Sequence, residues 1–134
     1  MQEEVGRLRS ANDYYSALLL QTLADRLAEA LAEKLHQDTR RIYWGYAPDE
    51  RWSPDELRTV AVQGIRPAVG YSAYADHSEK RKIFRVLHAE ELGMSLTENY
   101  SMLPTASICG LMMAHPESRY FMVYEPMRDT STSM

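Results

Sequence analysis

Gly64-Ile65-Arg66-Pro67-Ala68-Val69-Gly70-Tyr71 is the stretch on which the fold turns. Two glycines and a proline within eight residues rule out a helix or a central strand, because glycine loses backbone entropy there and proline removes a donor. The segment is nevertheless not a soluble linker, since Ile65, Val69 and Tyr71 are apolar or aromatic and Arg66 stands alone among them. A residue before proline is pushed toward extended backbone. An extended, partly apolar segment carrying one guanidinium suits a clamp for a carboxylate or phosphate, which arginine grips through two parallel hydrogen bonds. Gly70 would admit a close approach, and Tyr71 would offer a flat face and a hydroxyl. Taken by pattern alone, a surface turn with a solvated arginine is the preferred reading.

Around this stretch the chain divides by periodicity. Residues 1–10 form a short helix that must lean on something, since an isolated helix of that length is marginal in water. Asn12 or Asp13 caps the longest element, a helix over about 13–37 without glycine or proline and rich in Ala, Leu, Glu and Lys. Leu20, Leu23, Leu27, Leu31 and Leu35 recur three to four apart and predict one buried stripe. Asp25, Glu29 and Glu33 mark a far, acidic face, whose default reading is a solvated one.

Residues 40–46 are aromatic and read as a strand or a strand-like connection with its aromatics in the core. Ser53-Pro54-Asp55-Glu56 is a capping box with proline at the first helical position, and predicts a helix over about 54–62. Asp76 and Glu79 start another helix running to about residue 92, burying Ile83, Phe84, Leu87 and Leu92, with Gly93 as its C-cap. The period then shortens. Residues 95–100 read as a strand, and 106–113 and 119–123 as two antiparallel strands joined by the turn residues 114–118. The fold class expected is α+β: a long N-terminal helix and two shorter helices on a small antiparallel sheet ending in a hairpin. One domain over 1–124 is expected, with a disordered tail over 125–134.

A chain of 134 residues, 45% apolar and 25% charged, has the composition of an ordinary soluble domain. Its net charge of -4 argues against a nucleic-acid surface. Cys109 is the single cysteine, which excludes an internal disulfide and fits a reducing cytoplasm. No apolar run approaches the ~20 residues that span a bilayer, and the first residues lack the basic and apolar regions of a signal peptide. His36, His77, His88 and His115 are scattered without ligand spacing, so no metal site is expected. No nucleophile elbow and no glycine-rich strand-to-helix loop is present, which speaks against a Rossmann-type methyltransferase. Composition and motifs thus point to a binding site with no catalytic residue of its own.

Arg66-Pro67-Ala68-Val69-Gly70-Tyr71 resembles the Arg-x-x-x-Gly-Tyr signature of the S-adenosylmethionine-binding activation domain of cobalamin-dependent methionine synthase. Further segments resemble that family in order and spacing: residues 24–30, Tyr43-Trp44-Gly45-Tyr46-Ala47-Pro48, Asp76-His77-Ser78-Glu79-Lys80, Leu96-Thr97-Glu98, Pro104-Thr105-Ala106-Ser107 and His115-Pro116-Glu117-Ser118. The likeness runs from about residue 12 to about 123. It implies a module that presents S-adenosylmethionine to cobalamin, held by a separate cobalamin-binding domain, while a flavodoxin-type reductant supplies an electron. The process is reductive methylation in methionine biosynthesis, and the module would be part of a methyltransferase without being catalytic alone. The resemblance implies these contacts: Arg66 to the ligand carboxylate, the backbone at Pro67, Ala68 and Gly70 along the adenosine, Tyr71 between ligand and corrin, Glu29 near the cationic end, and Tyr120 from the final hairpin.

Two departures stand out. The family domain is much longer, and the half that precedes this region in it is absent here. A divided sheet domain exposes strand edges and apolar faces, so self-association is expected. Tyr74-Ala75 also stands where the family usually has Cys-Pro. The alternative to a binding module is therefore a divergent or truncated scaffold that self-associates and has lost its ligand.

Overall fold

The computed structural model describes residues 1–53, 56 and 62–119. The expected helix at 54–62 falls almost wholly outside them, as do residues 120–123 of the final hairpin, Tyr120 and the tail. Ser53 and Glu56 do make the reciprocal capping contacts that the sequence foretells, with Ser53 N donating to Glu56 Oε2 at 2.8 Å and Glu56 N to Ser53 Oγ at 3.4 Å.

Helix α1, Gln2–Ser10, lies against α2, Tyr14–Asp38, and Val5 is its one buried residue. The Asp13 carboxylate caps α2 by accepting from Ser16 N at 3.0 Å. A π-turn, Thr39–Tyr43, extends the helix further. Helix α3, Lys80–Leu87, follows a single 3-10 turn at His77–Glu79, where Asp76 accepts from Ser78 N at 2.8 Å. His88 leaves α3 in the left-handed region, a second 3-10 turn spans Ala89–Leu92, and Gly93 closes it with φ 78°. Strands β1, Ser95–Leu96, and β2, Met102–Leu103, form an antiparallel pair. A second antiparallel contact joins residues 65–69 to 109–113: Ile65 and Met113 exchange hydrogen bonds at 2.9 Å, and Leu111 N donates to Pro67 O at 3.0 Å. The architecture is α+β, as the sequence implies. Among the described residues no helix is long and apolar enough to cross a membrane.

Four expectations are corrected. Of the five leucines expected in the buried stripe of α2, only Leu20 faces inward. Residues four apart form ridges along a helix, and the ridge turned inward is Leu20, Ala24, Ala28, Ala32 and His36, together with Ala17. Leu23, Leu27, Leu31 and Leu35 stand on the next ridge and are exposed. Small side chains face the body because residues 105–108 come close to α2, where Gln21 Nε2 donates to Thr105 Oγ1 at 3.2 Å.

Residues 40–46 are not a strand. Thr39 Oγ1 donates back to Leu35 O at 2.9 Å, and Arg40, fully buried, makes a two-pronged pair with Glu50 at 2.7 and 2.8 Å. That pair holds the chain in a turn and leaves Ile42, Tyr43 and Trp44 exposed. The strand expected at 95–100 is only two residues long. Its chain reverses at Thr97–Tyr100, with Tyr100 at φ 59° and its N–H on Thr97 O at 3.0 Å. On the segment after Asp76, Phe84 is buried and Ile83 half-buried, whereas Leu87 and Leu92 are exposed.

Candidate functional site

Residues 64–71 are extended, as their composition requires, and pair on one edge with residues 109–113. Two close approaches explain the glycines. Gly110 meets the partner backbone, since a Cβ there would sit 2.7 Å from Pro67 O. Gly70, at φ 105°, lies beneath the His77 imidazole, where a Cβ would fall 2.2 Å from Cε1. Gly70 N donates to Tyr74 O at 2.7 Å, closing the turn Tyr71–Tyr74.

His77 is itself held. Its Nδ1 lies 3.0 Å from Lys80 Nζ, and an ammonium can only donate, so Nδ1 accepts. Lys80 is buried, and its second contact is Tyr100 O at 3.1 Å. A buried cation thus ties the start of α3 to the end of the extended segment and to the β1–β2 turn.

Arg66 projects from the middle of this segment toward α2. Its side chain is 17% exposed, and Nη2 is 3.5 Å from Glu33 Oε2, a long ion pair with a half-exposed carboxylate. Arg66 lines an apolar cavity of about 200 Å³ between α2, α3 and residues 108–112, walled by Ala32, Leu35, Phe84, Ile108 and Met112. Cys109 is also in that wall, and burial pushes its thiol pKa up. Glu29, one turn before Glu33, lines a neighbouring cavity of about 240 Å³ with Ala28, Ala106, Ser107 and Ile108. Ile108 is common to both.

The structure therefore sets Glu29 and Arg66 in adjoining hollows, with Pro67 buried and Ala68 and Gly70 half-buried along the strand. Tyr71 points outward and is 73% exposed. Tyr120 lies outside the described residues. A larger depression of about 710 Å³ beyond α3 is lined by Arg81, Arg85, Glu90, Glu91 and Glu98. It shares only Phe84 with the Arg66 cavity and holds none of the candidate ligand-contacting residues, so the smaller hollows are the candidate site.

Glu33 was read in the sequence only as part of a solvated acidic face with Asp25 and Glu29, and its pairing with Arg66 was not foreseen. The His77–Lys80 pair was also missed, and no local pattern distinguishes it from a solvated helix start. Tyr74 finds room beside α3, where its hydroxyl donates to Glu79 Oε2 at 3.1 Å. Desolvation first, and that hydrogen bond second, raise its pKa.

Fold and site together define an α+β module built around one guanidinium that faces helix carboxylates across a glycine-bounded strand. The sequence model described as the activation domain of vitamin B12-dependent methionine synthase matches residues 1–133, and the chain belongs to that family. Among solved structures, it is similar to the crystal structure of a MetH reactivation domain bound to AdoHcy. The two are 44% identical, with a TM-score of 0.86, over 90% of this chain and 37% of that one. The chain thus spans little more than a third of that relative's length.

Proposed function

We propose that this module binds S-adenosylmethionine and, within a methionine synthase, presents it for reductive methylation of cobalamin. One observation carries the reading. Arg66 is a largely shielded guanidinium, fixed on a stiff glycine-bounded strand at the mouth of a hollow whose neighbouring walls bear carboxylates. That donor set fits the ligand: a guanidinium for its carboxylate, and acidic groups for its sulfonium and ammonium. A homologous structure that binds AdoHcy, the demethylated form of that ligand, supports the same choice.

In this reading Arg66 binds the carboxylate, exchanging it for Glu33. The backbone at Pro67, Ala68 and Gly70 lies along the adenosine, and Gly70 admits the His77 ring that packs over it. Glu29 stabilises the cationic end. Tyr71, exposed at the strand's end, covers the ligand on the side where a cobalamin-binding domain would dock, and Tyr120 is assigned a further contact. The methyl transfer to reduced cobalt is chemistry of the bound groups, with an electron from a flavodoxin-type protein in the cytoplasm; the module orients and shields.

Calorimetric titration with S-adenosylmethionine tests this. Arg66→Ala removes a charge-assisted pair worth about 1.5–3 kcal/mol, so affinity should fall about 10- to 150-fold. Equal affinity in both proteins would end the reading. A second reading is favoured by the length difference from the relative: the scaffold persists and the ligand site, lacking contacts from elsewhere, does not bind. Absence of heat with the wild type would establish it.

A further inference from the structure

Lys80 is a buried cation whose hydrogen-bond partners are both neutral acceptors. Its Nζ lies 3.0 Å from His77 Nδ1 and 3.1 Å from Tyr100 O. The first contact needs an unprotonated Nδ1, because an ammonium can only donate. A protonated ring would set one cation against another, and the Lys80 ammonium is enclosed where water cannot screen it. His77 itself is exposed, so protons reach it from solvent. Its ring also closes over Gly70, where a Cβ would fall 2.2 Å from Cε1. Gly70 N donates to Tyr74 O at 2.7 Å and so holds the end of the 64–71 segment. Proton, ring and strand are therefore in one line of contact.

We infer that protonation of His77 releases the ligand-binding strand, so that the module holds its ligand at neutral pH and lets it go in mild acid. This rests on the binding reading given above and adds its regulation. A ring that leaves Lys80 no longer covers Gly70, and the turn Tyr71–Tyr74 loses one wall. The charges around His77 favour that outcome. The Asp76 carboxyl is held below its ordinary range by the Ser78 hydrogen bonds first, and the charges of Lys82 and His77 add to this. An imidazolium thus has a carboxylate beside it other than through Lys80. Glu79 is engaged by Tyr74 and Lys82. Arg66, the cation of the segment itself, is turned to α2. The β1–β2 turn presents the Tyr100 carbonyl, with Arg81 over the Tyr100 ring. Cys109, on the paired segment, stays a neutral thiol because burial raises its pKa.

The test is titration calorimetry of the full chain with S-adenosylmethionine at about pH 7.5 and about pH 5.5, either side of the ordinary histidine value near 6.5. Wild-type affinity should fall at least about fivefold, the lower end for a coupled effector. By reciprocity the ligand should expel protons near pH 6.5, so the heat should vary with the ionisation enthalpy of the buffer. His77→Asn offers an acceptor oxygen that cannot be protonated, and its affinity should not fall between the two pH values. The buried His36 lies near Arg66 and titrates as well, so His36→Gln is the control and should keep the wild-type fall. A ligand-free measurement separates this from the binding reading. Hydrogen-exchange protection of the Gly70 amide should drop at least about fivefold in wild type at the lower pH and stay level in His77→Asn. Level protection in wild type, or an equal drop in His77→Asn, overturns the inference whether or not the ligand binds. So does an affinity loss that persists in His77→Asn and vanishes in His36→Gln.

Discussion

Replacing Gly70 by alanine probes the clamp at the point where backbone and ligand face meet. Two costs add. At φ 105° an L-residue is strained by about 1–2 kcal/mol. The new methyl would also lie 2.2 to 2.8 Å from three atoms of the His77 ring, which must swing away. His77 can move, because it sits at the surface, but its Nδ1 then leaves Lys80 Nζ. A hydrogen bond to a buried ammonium contributes about 1.5–3 kcal/mol. The expected destabilisation is about 3 kcal/mol, read from urea midpoints at a common slope. In a His77→Ala background the collision and the lost bond are both absent, so Gly70→Ala should cost only the backbone part. The cycle should show a coupling of about 1–2 kcal/mol. Affinity for S-adenosylmethionine should fall as well, because the Tyr71–Tyr74 turn hangs on Gly70 N. A cost within about 0.5 kcal/mol of zero, or one unchanged by His77→Ala, would refute the claim that His77 and Lys80 position this strand.

Two further outcomes are expected. Glu50→Gln should destabilise the fold by about 3–5 kcal/mol in the same urea assay, since it leaves the fully buried Arg40 without its carboxylate. Pairing it with Arg40→Met should restore much of the loss. The buried His36 gives a pH dependence: its pKa is lowered from 6.5, chiefly by desolvation and then by the charge of Arg40. A depressed histidine is neutral in the fold, and its protonation favours the unfolded chain. Its contribution is therefore complete above about pH 6.5 and is lost as pH falls through the folded value. Urea midpoints taken from about pH 7.5 down to about pH 5 should drop less steeply in His36→Gln than in wild type.

Features governed by neighbours in sequence were legible. Asp13 and Asp76 cap where expected, Gly93 ends its segment left-handed, and residues 64–70 are extended because Arg66 precedes proline. What depended on distant partners was not. A helix that repeats every four residues presents adjacent ridges, one of leucine and one of alanine, and hydrophobicity alone puts the larger inside. The structure chooses the alanines because residues 105–108 approach α2 closely, which no local pattern announces. Residues 40–46 carry the aromatics of a strand, yet a carboxylate ten residues on, Glu50, captures Arg40 and winds them into a turn. Tertiary context outweighed β-propensity there.

The same distinction explains the site. Arg66 was readable through its match to the family signature, since by pattern alone the segment reads as a turn with a solvated arginine, whereas its pairing with Glu33 became visible only once α2 lay across the strand. Their separation of 3.5 Å, with Glu33 46% exposed, matters for function. A tight buried pair would hold the guanidinium too strongly for a ligand to compete, because breaking one costs about 3–5 kcal/mol. A half-exposed pair contributes about 0–1 kcal/mol. In the proposed reading, a ligand carboxylate arriving in two-pronged geometry would exchange with Glu33 at little expense for that pair and gain the stronger contact.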